Sequence, residues 1–278
     1  MAKIISFQGD LGCYSHQACS EIYPGAIVKP CETFEEAVLC VKNKSANGTI
    51  LPVENSTYGR VSIIHELLRN TGLLIVDEYF LRVKINLYGT KDSKIDEIKK
   101  AFSHSVLLGQ CKKFLSSRNI TPCVHSDTAG AVKFIAENNN EKFGALASSL
   151  AGDIYGLKEL ATNVEDMKNN TTRFLVLSDS QEKNVTQKNC ITTVIFKVRN
   201  IPSSLYKALG GFATNNVNIV KLESYMIGGS FASTQFYADI EGHPEQTSVK
   251  MALEELEYFT SSVKIIGVYK RHEFRKKK

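Results

Sequence analysis

The stretch NNTTRFLVLS, Asn169 to Ser178, decides how the chain folds. Phe174 to Leu177 is a short apolar run of the kind that forms a buried strand, and it arrives late, after a long series of alternating elements. From residue 3 onward, runs rich in Ile, Val and Leu alternate with segments of helical period, as in IISFQG, SHQACSEIY, GTILPVEN and VSIIHELLRN. That alternation predicts repeated βα units with parallel strands. LLIVDEYFLRVKINLYG is too long for one ordinary strand and reads as a crossing from a first lobe into a second. The second lobe opens with DEIKKAFSHSVLLGQCKKFLSS, expected as helix, loop and helix, and continues through TAGAVKFIAEN, FGALAS and SSLAGDIYGL. The strand at Thr172 to Ser178 then completes the first lobe. The expected first domain is residues 1–180, with lobe one at about 1–78 plus 160–180, lobe two at about 79–159, and a cleft between them.

Beyond it, DSQEKNVTQ at 179–187 is polar and aperiodic, a linker. Residues 190–270 then read strand, helix, two strands, helix, strand, with a turn at Gly228 and Gly229, which is the ferredoxin-like order. The fold class is therefore α/β, two lobes followed by a smaller α+β module. At 278 residues and 43% hydrophobic content the chain is long enough for two cores. The net charge of +5 is concentrated in the basic tail 271–278, where five Lys and Arg meet one Glu. Such a short run is expected to be solvated, and no nucleic-acid or membrane partner is predicted. The amino terminus shows neither a signal nor a transit pattern, so a cytoplasmic location is expected. Seven Cys without a CxxC pair and six scattered His predict reduced thiols and no metal site.

Four polar loops are expected at the carboxyl ends of strands, where open α/β sheets bind ligands. They are QGDLGCYSHQA at 8–18, PVENSTYGRV at 52–61, SHSVLLGQC at 103–111 and NNTTRF at 169–174. Each alone is ordinary turn and cap chemistry. Together they bring hydroxyls, amides and an Arg to one cleft. Neither a complete GxGxxG nor a GxxxxGK[ST] pattern is present, so NAD and ATP are rejected. No GxSxG elbow supports a hydrolase.

Taken in order, GDLGCYSHQA, LPVENSTYGRV, SHSVLLGQC, GALASSLAGDIYGL and above all NNTTRFLVLS closely resemble prephenate dehydratase, and FATNNVNIVKLES resembles the ACT module of that family. The resemblance implies a type II periplasmic-binding-protein-like catalytic domain, a C-terminal ACT regulatory domain, and decarboxylating dehydration of prephenate to phenylpyruvate in L-phenylalanine biosynthesis. It implies no cofactor, and a homodimer or homotetramer. By the same resemblance Thr172 is the catalytic donor at the leaving hydroxyl. Arg173 is the carboxylate grip, and Asn55, Ser56, Ser103 and Asn170 bind substrate, with the Gly12 loop adding donors. Ser203, Ser204, Leu205, Glu223 and Ser224 mark an L-phenylalanine effector site, altered here because Ser203 replaces a Gly and Tyr225-Met226 replace Arg-Pro. Arogenate dehydratase is the rival reading. A non-catalytic amino-acid sensor is a third, which the retained Asn170, Thr172 and Arg173 argue against.

Overall fold

The computed structural model describes residues 2–181, 187–226 and 233–276. The chain divides into two compact units, Met1–His65 with Tyr79–Phe174, and Glu66–Glu78 with Leu175–Lys278. The predicted turn at Gly228 and Gly229, most of the linker and the last two lysines lie outside the described residues.

In chain order the first part contains β1 (Ile4–Gln8), α1 (Tyr14–Ile22), β2 (Ile27–Cys31), α2 (Phe34–Lys42), β3 (Gly48–Asn55), β4 (Gly59–Arg60), α3 (Ser62–Asn70) and β5 (Leu74–Arg82). Then come β6 (Asn86–Gly89), β7 (Lys100–Ser103), α4 (Ser105–Gln110), α5 (Lys112–Ser117), β8 (Thr121–Val124), α6 (Thr128–Asn138), β9 (Phe143–Ala147), α7 (Ser149–Tyr155), β10 (Lys158–Ala161) and β11 (Thr171–Ser178). Helix starts follow local chemistry: Thr33 accepts from Glu36 N ahead of α2, and Asp127 accepts from Gly130 N ahead of α6. The left-handed cap Gly156 ends α7.

Within the first unit, β1 lies parallel between β2 and β3, β11 neighbours β3, and β4 folds back antiparallel on β3. A second sheet has the order β10-β6-β9-β7-β8. The expected crossing segment is two strands, β5 and β6, separated by Val83–Ile85, whose buried Val83 and Ile85 enter the core of the second lobe. Several short strands stand where none was expected, β2 and β4 in the first lobe and two in the second. KAFS forms β7, parallel to both β8 and β9, and KELA forms β10 against β6. Four residues are too few to show a period, so only their pairing reveals them. The lobes meet at Gly12, whose φ is +94°; a Cβ there would lie 2.6 Å from Ala151 Cα of α7, and Ser148 Oγ donates to Gly12 O. Only glycine fits this crossing.

The C-terminal part contains β12 (Cys190–Val198), α8 (Ser204–Thr214), β13 (Ile219–Met226), β14 (Ser233–Glu241), α9 (Thr247–Phe259) and β15 (Thr260–Lys270). The second unit's sheet runs β13-β14-β12-β15 and takes β5 on the far side of β15. Gly267 faces Ile75 across the parallel pair, so close that a Cβ would lie 2.5 Å from Ile75 O. This pairing places Glu66–Glu78 in the second unit. One face of the sheet packs Val194, Phe196, Phe236 and Ile240 against Ala208 and Phe212 of α8 and Leu256 of α9.

The basic tail departs from the solvated reading. Arg275 donates from Nε and Nη2 to Glu78 at 2.7 and 2.9 Å and from Nη2 to Asp239 at 3.2 Å, and both carboxylate side chains are wholly buried. Arg271 pairs with Glu241 at 2.9 Å. Two carboxylates without water need a cation, and a planar fork can serve both. Arg275→Ala is therefore expected to destabilise the second unit by about 3 kcal/mol or more, the typical result of breaking one side of a buried pair. Thermal unfolding of the variant checks this; an unchanged Tm would show the tail to be dispensable.

Candidate functional site

A cavity of about 570 Å³ lies in the first unit, lined from both lobes. Its walls come from the loop after β1 (Gln8, Gly9, Cys13), the β3 to β4 turn (Asn55, Tyr58, Gly59, Arg60), His104 and Gln110 around α4, Asp127 and Thr128 at the start of α6, and Thr172 with Phe174 of β11. The polar loops singled out in the sequence do converge here, although not every candidate within them reaches the cavity.

Thr172 does, and Asn55 orients it. Asn55 Nδ2 donates to Thr172 Oγ1 at 2.9 Å and to Asn170 Oδ1 at 2.8 Å, while its Oδ1 accepts the backbone amides of Thr57 and Tyr58 at 2.9 and 3.1 Å. All four hydrogen-bonding positions of that amide are filled, which also settles which atom is nitrogen. Thr172 Oγ1 thus accepts a bond, and its own proton remains to be donated into the cavity. A donor on the oxygen strengthens the hydroxyl as a donor in turn.

The other candidates are not among the lining residues. Asn170 is buried and donates to Gln110 Oε1 at 2.9 Å. Ser56 stitches strand ends, accepting from Thr171 N at 3.0 Å and donating to Asn169 O at 2.9 Å. Ser103 is fully buried and donates to Leu146 O at 2.7 Å, so its hydroxyl is engaged between β7 and β9. Arg173 is 2% exposed, pairs with Glu54 at 3.0 Å and stacks over Phe80. It is not among the lining residues. The arginine among the lining residues is Arg60, a residue the sequence reading passed over. The Gly12 amide, expected as a donor to ligand, donates to His16 Nδ1 at 2.9 Å. Gln110, Tyr58 and His104 were also missed as individuals, although each lies inside a quoted loop. Their only sequence signal is proximity to a strand end.

Burial pushes the Cys13 thiol up to about 11, which disqualifies it as a nucleophile near neutrality. Among the described residues no group of three His, Cys, Asp or Glu is placed to hold a metal ion. Among the described residues no helix is long and apolar enough to cross a membrane.

In the second unit, the residues expected at an effector site are spread over one helix start and one strand. Ser203, at φ +65°, precedes α8; Ser204 is buried, and Leu205 packs on the helix-covered core. On β13, Glu223 pairs with Lys221 at 3.1 Å, and Ser224 lies opposite Phe236 of β14.

An oriented hydroxyl and a set of fixed amides lining a cavity between two α/β lobes fit small-molecule chemistry. A family model described as prephenate dehydratase matches residues 5–182. The bifunctional N-acyl-homoserine lactone acylase/prephenate dehydratase of Komagataeibacter europaeus is 42% identical over 276 residues, covering 99% of this chain and 98% of that protein. Arogenate dehydratase/prephenate dehydratase 1, chloroplastic, of Arabidopsis thaliana is 34% identical over 279 residues, covering 95% of this chain and 71% of that protein. A prephenate dehydratase from Arthrobacter aurescens, solved in complex with L-Phe, shares the fold with a TM-score of 0.88 at 24% identity, over 96% of this chain and 90% of that one. The chain belongs to the prephenate dehydratase family, carbon–oxygen lyases of phenylalanine biosynthesis.

The loop carrying Gly9 to Cys13 depends on a neutral imidazole, because His16 Nδ1 must accept from Gly12 while the ring stacks on Phe7. Burial lowers the His16 pKa below the ordinary 6.5. The unfolded chain therefore binds the proton more readily, so this contribution to stability is complete above pH 6.5 and is lost as pH falls from there through the lowered folded value. Melting curves from pH 8 to 5 should show this decline. His16→Gln, which keeps an acceptor without a titration, should flatten it.

Proposed function

We propose that the cavity binds prephenate and that Thr172 donates a hydrogen bond to the ring hydroxyl as it leaves. The observation carrying this reading is the pair Asn55 Nδ2 to Thr172 Oγ1, which leaves the Thr172 proton facing the cavity. As the carboxylate on the ring carbon departs as CO2, its bonding electrons enter the ring and the C–O bond to the hydroxyl breaks. The leaving oxygen takes a proton, ultimately from solvent, and departs as water. Aromatisation supplies the drive, so a positioned neutral donor is enough. Arg60 supplies cationic character for a substrate carboxylate. Arg173 acts one layer back, holding Glu54 and with it the end of β3. Asn170 acts in the same layer by holding Asn55.

The same reading assigns the two lobes to a periplasmic-binding-protein-like catalytic domain and residues 190–270 to an ACT regulatory domain that takes L-phenylalanine and joins subunits into a homodimer or homotetramer. It also places the enzyme in the cytoplasm. At the effector site Ser203 is accommodated by left-handed backbone, so Ser203→Gly should relieve strain of about 1 kcal/mol as well as remove a Cβ.

Thr172→Ala is expected to lower turnover of prephenate by roughly 100- to 10,000-fold with little change in Tm. Incubation of the purified protein with prephenate, arogenate and an N-acyl-homoserine lactone in separate reactions, reading phenylpyruvate, phenylalanine and released fatty acid, tests the assignment. Phenylpyruvate as the dominant product, lost in Thr172→Ala, is the expected result. Turnover of arogenate alone would transfer the same chemistry to the aminated substrate, and turnover of neither would refute it.

A further inference from the structure

Beside the main cavity lies a second chamber of about 290 Å³, walled by Thr57, Gly109, Lys113, Glu165, Asp166 and Asn170. Tyr58 and Gln110 line both spaces, so they form the partition. Gln110 is buried on α4. Tyr58 is half exposed at the tip of the β3 to β4 turn, in the opposite lobe. Three contacts fix it. Its backbone amide donates to Asn55 Oδ1 at 3.1 Å, its hydroxyl donates to Val106 O of α4 at 3.3 Å, and Gly109 leaves the space for that hydroxyl. A Cβ at residue 109 would lie 2.7 Å from Tyr58 Oη, with no other neighbouring atom within 4 Å.

The amide that receives the Tyr58 N–H is the one that orients Thr172. Asn55 therefore connects the interlobe contact to the reacting hydroxyl in a single side chain: Oδ1 holds the tyrosine loop and Nδ2 holds Thr172. We infer that Tyr58 is a positioning residue for the dehydration, latching the turn of one lobe onto α4 of the other so that Asn55 presents Thr172 at the correct angle. This role rests on the proposed function. It predicts that loosening the latch lowers kcat while leaving KM nearly unchanged, since the misaligned group acts in the transition state.

Gly109→Ala tests the idea without touching any polar group. Alanine favours a helix over glycine, so Tm should stay level or rise. The added methyl should displace Tyr58 and lower kcat roughly five- to tenfold, the scale of one hydrogen bond lost or bent. Tyr58→Phe should lose a similar factor, Tyr58→Ala at least as much, and Gly109→Ala added to Tyr58→Ala should cost nothing further. Hydrogen exchange across 53–61 and 105–110 should quicken in both segments together for Gly109→Ala and for Tyr58→Phe. Unaltered kcat in Gly109→Ala, or full additivity of Gly109→Ala with Tyr58→Ala, overturns the latch. If the wild-type protein turns over no prephenate, the proposed function fails instead. The exchange experiment then decides the latch alone, and exchange that is unchanged in both variants overturns it.

Discussion

The saturated amide of Asn55 is the constraint around which the site is built. One planar group closes the β3 to β4 turn, receives support from Asn170 and orients Thr172. Each bond restricts the others, because rotating the amide to improve one would break three. Preorganisation of this kind is what hydrogen-bond catalysis needs, since a donor already aligned in the ground state requires no rearrangement as charge develops. The support extends into the second lobe through Asn170 and Gln110, whose backbone carbonyl in turn accepts from Asp166 N at 2.7 Å.

The distribution of charge follows the same logic. Arg173 is matched to Glu54, and Arg82 donates to Glu165 and to Asn170 O, each at 2.8 Å, while Glu165 also accepts from Ile85 N. These pairs match charge outside the cavity lining and tie down the strand ends that carry Asn55 and Thr172. Asp127, the carboxylate among the lining residues, is taken up in capping α6. Besides Asp127, the polar residues lining the cavity include Ser15, Tyr58, Ser126, Thr128 and Thr172 with hydroxyls, Gln8, Asn55 and Gln110 with amides, His104 and Arg60.

Much of the architecture was legible because it rests on periodicity. The late return of β11, strands β1 and β3 and the alternating elements of residues 190–270 all show in apolar spacing. Strands β7 and β10 did not, since four residues paired at the right place look no different from loop. The tail misled for another reason. Arg271 and Arg275 sit in a run of basic residues that reads as solvated, and the carboxylates that bury them, Glu241, Asp239 and Glu78, are 30 to almost 200 positions away. Long-range ion pairing has no local signature. Ser103 is a similar case: a serine at a strand end can cap, bind or fill, and its bond to the carbonyl of Leu146 comes from a residue 43 positions away.

The motif that revealed the fold also distributes its residues over two layers of contacts. Thr172 and Arg173 are adjacent, and adjacency invites a shared role at the substrate. In a strand, however, consecutive side chains leave on opposite faces. Thr172 and Phe174 line the cavity, whereas Arg173 between them does not. The neighbouring strand obeys the same alternation. Asn55 meets Thr172, and Glu54 meets Arg173. Strands β3 and β11 are therefore joined twice at their ends, by an amide-to-hydroxyl bond on the cavity face and by an ion pair on the opposite face. A contiguous motif can thus place its members in two different layers, and the pleat is what separates them.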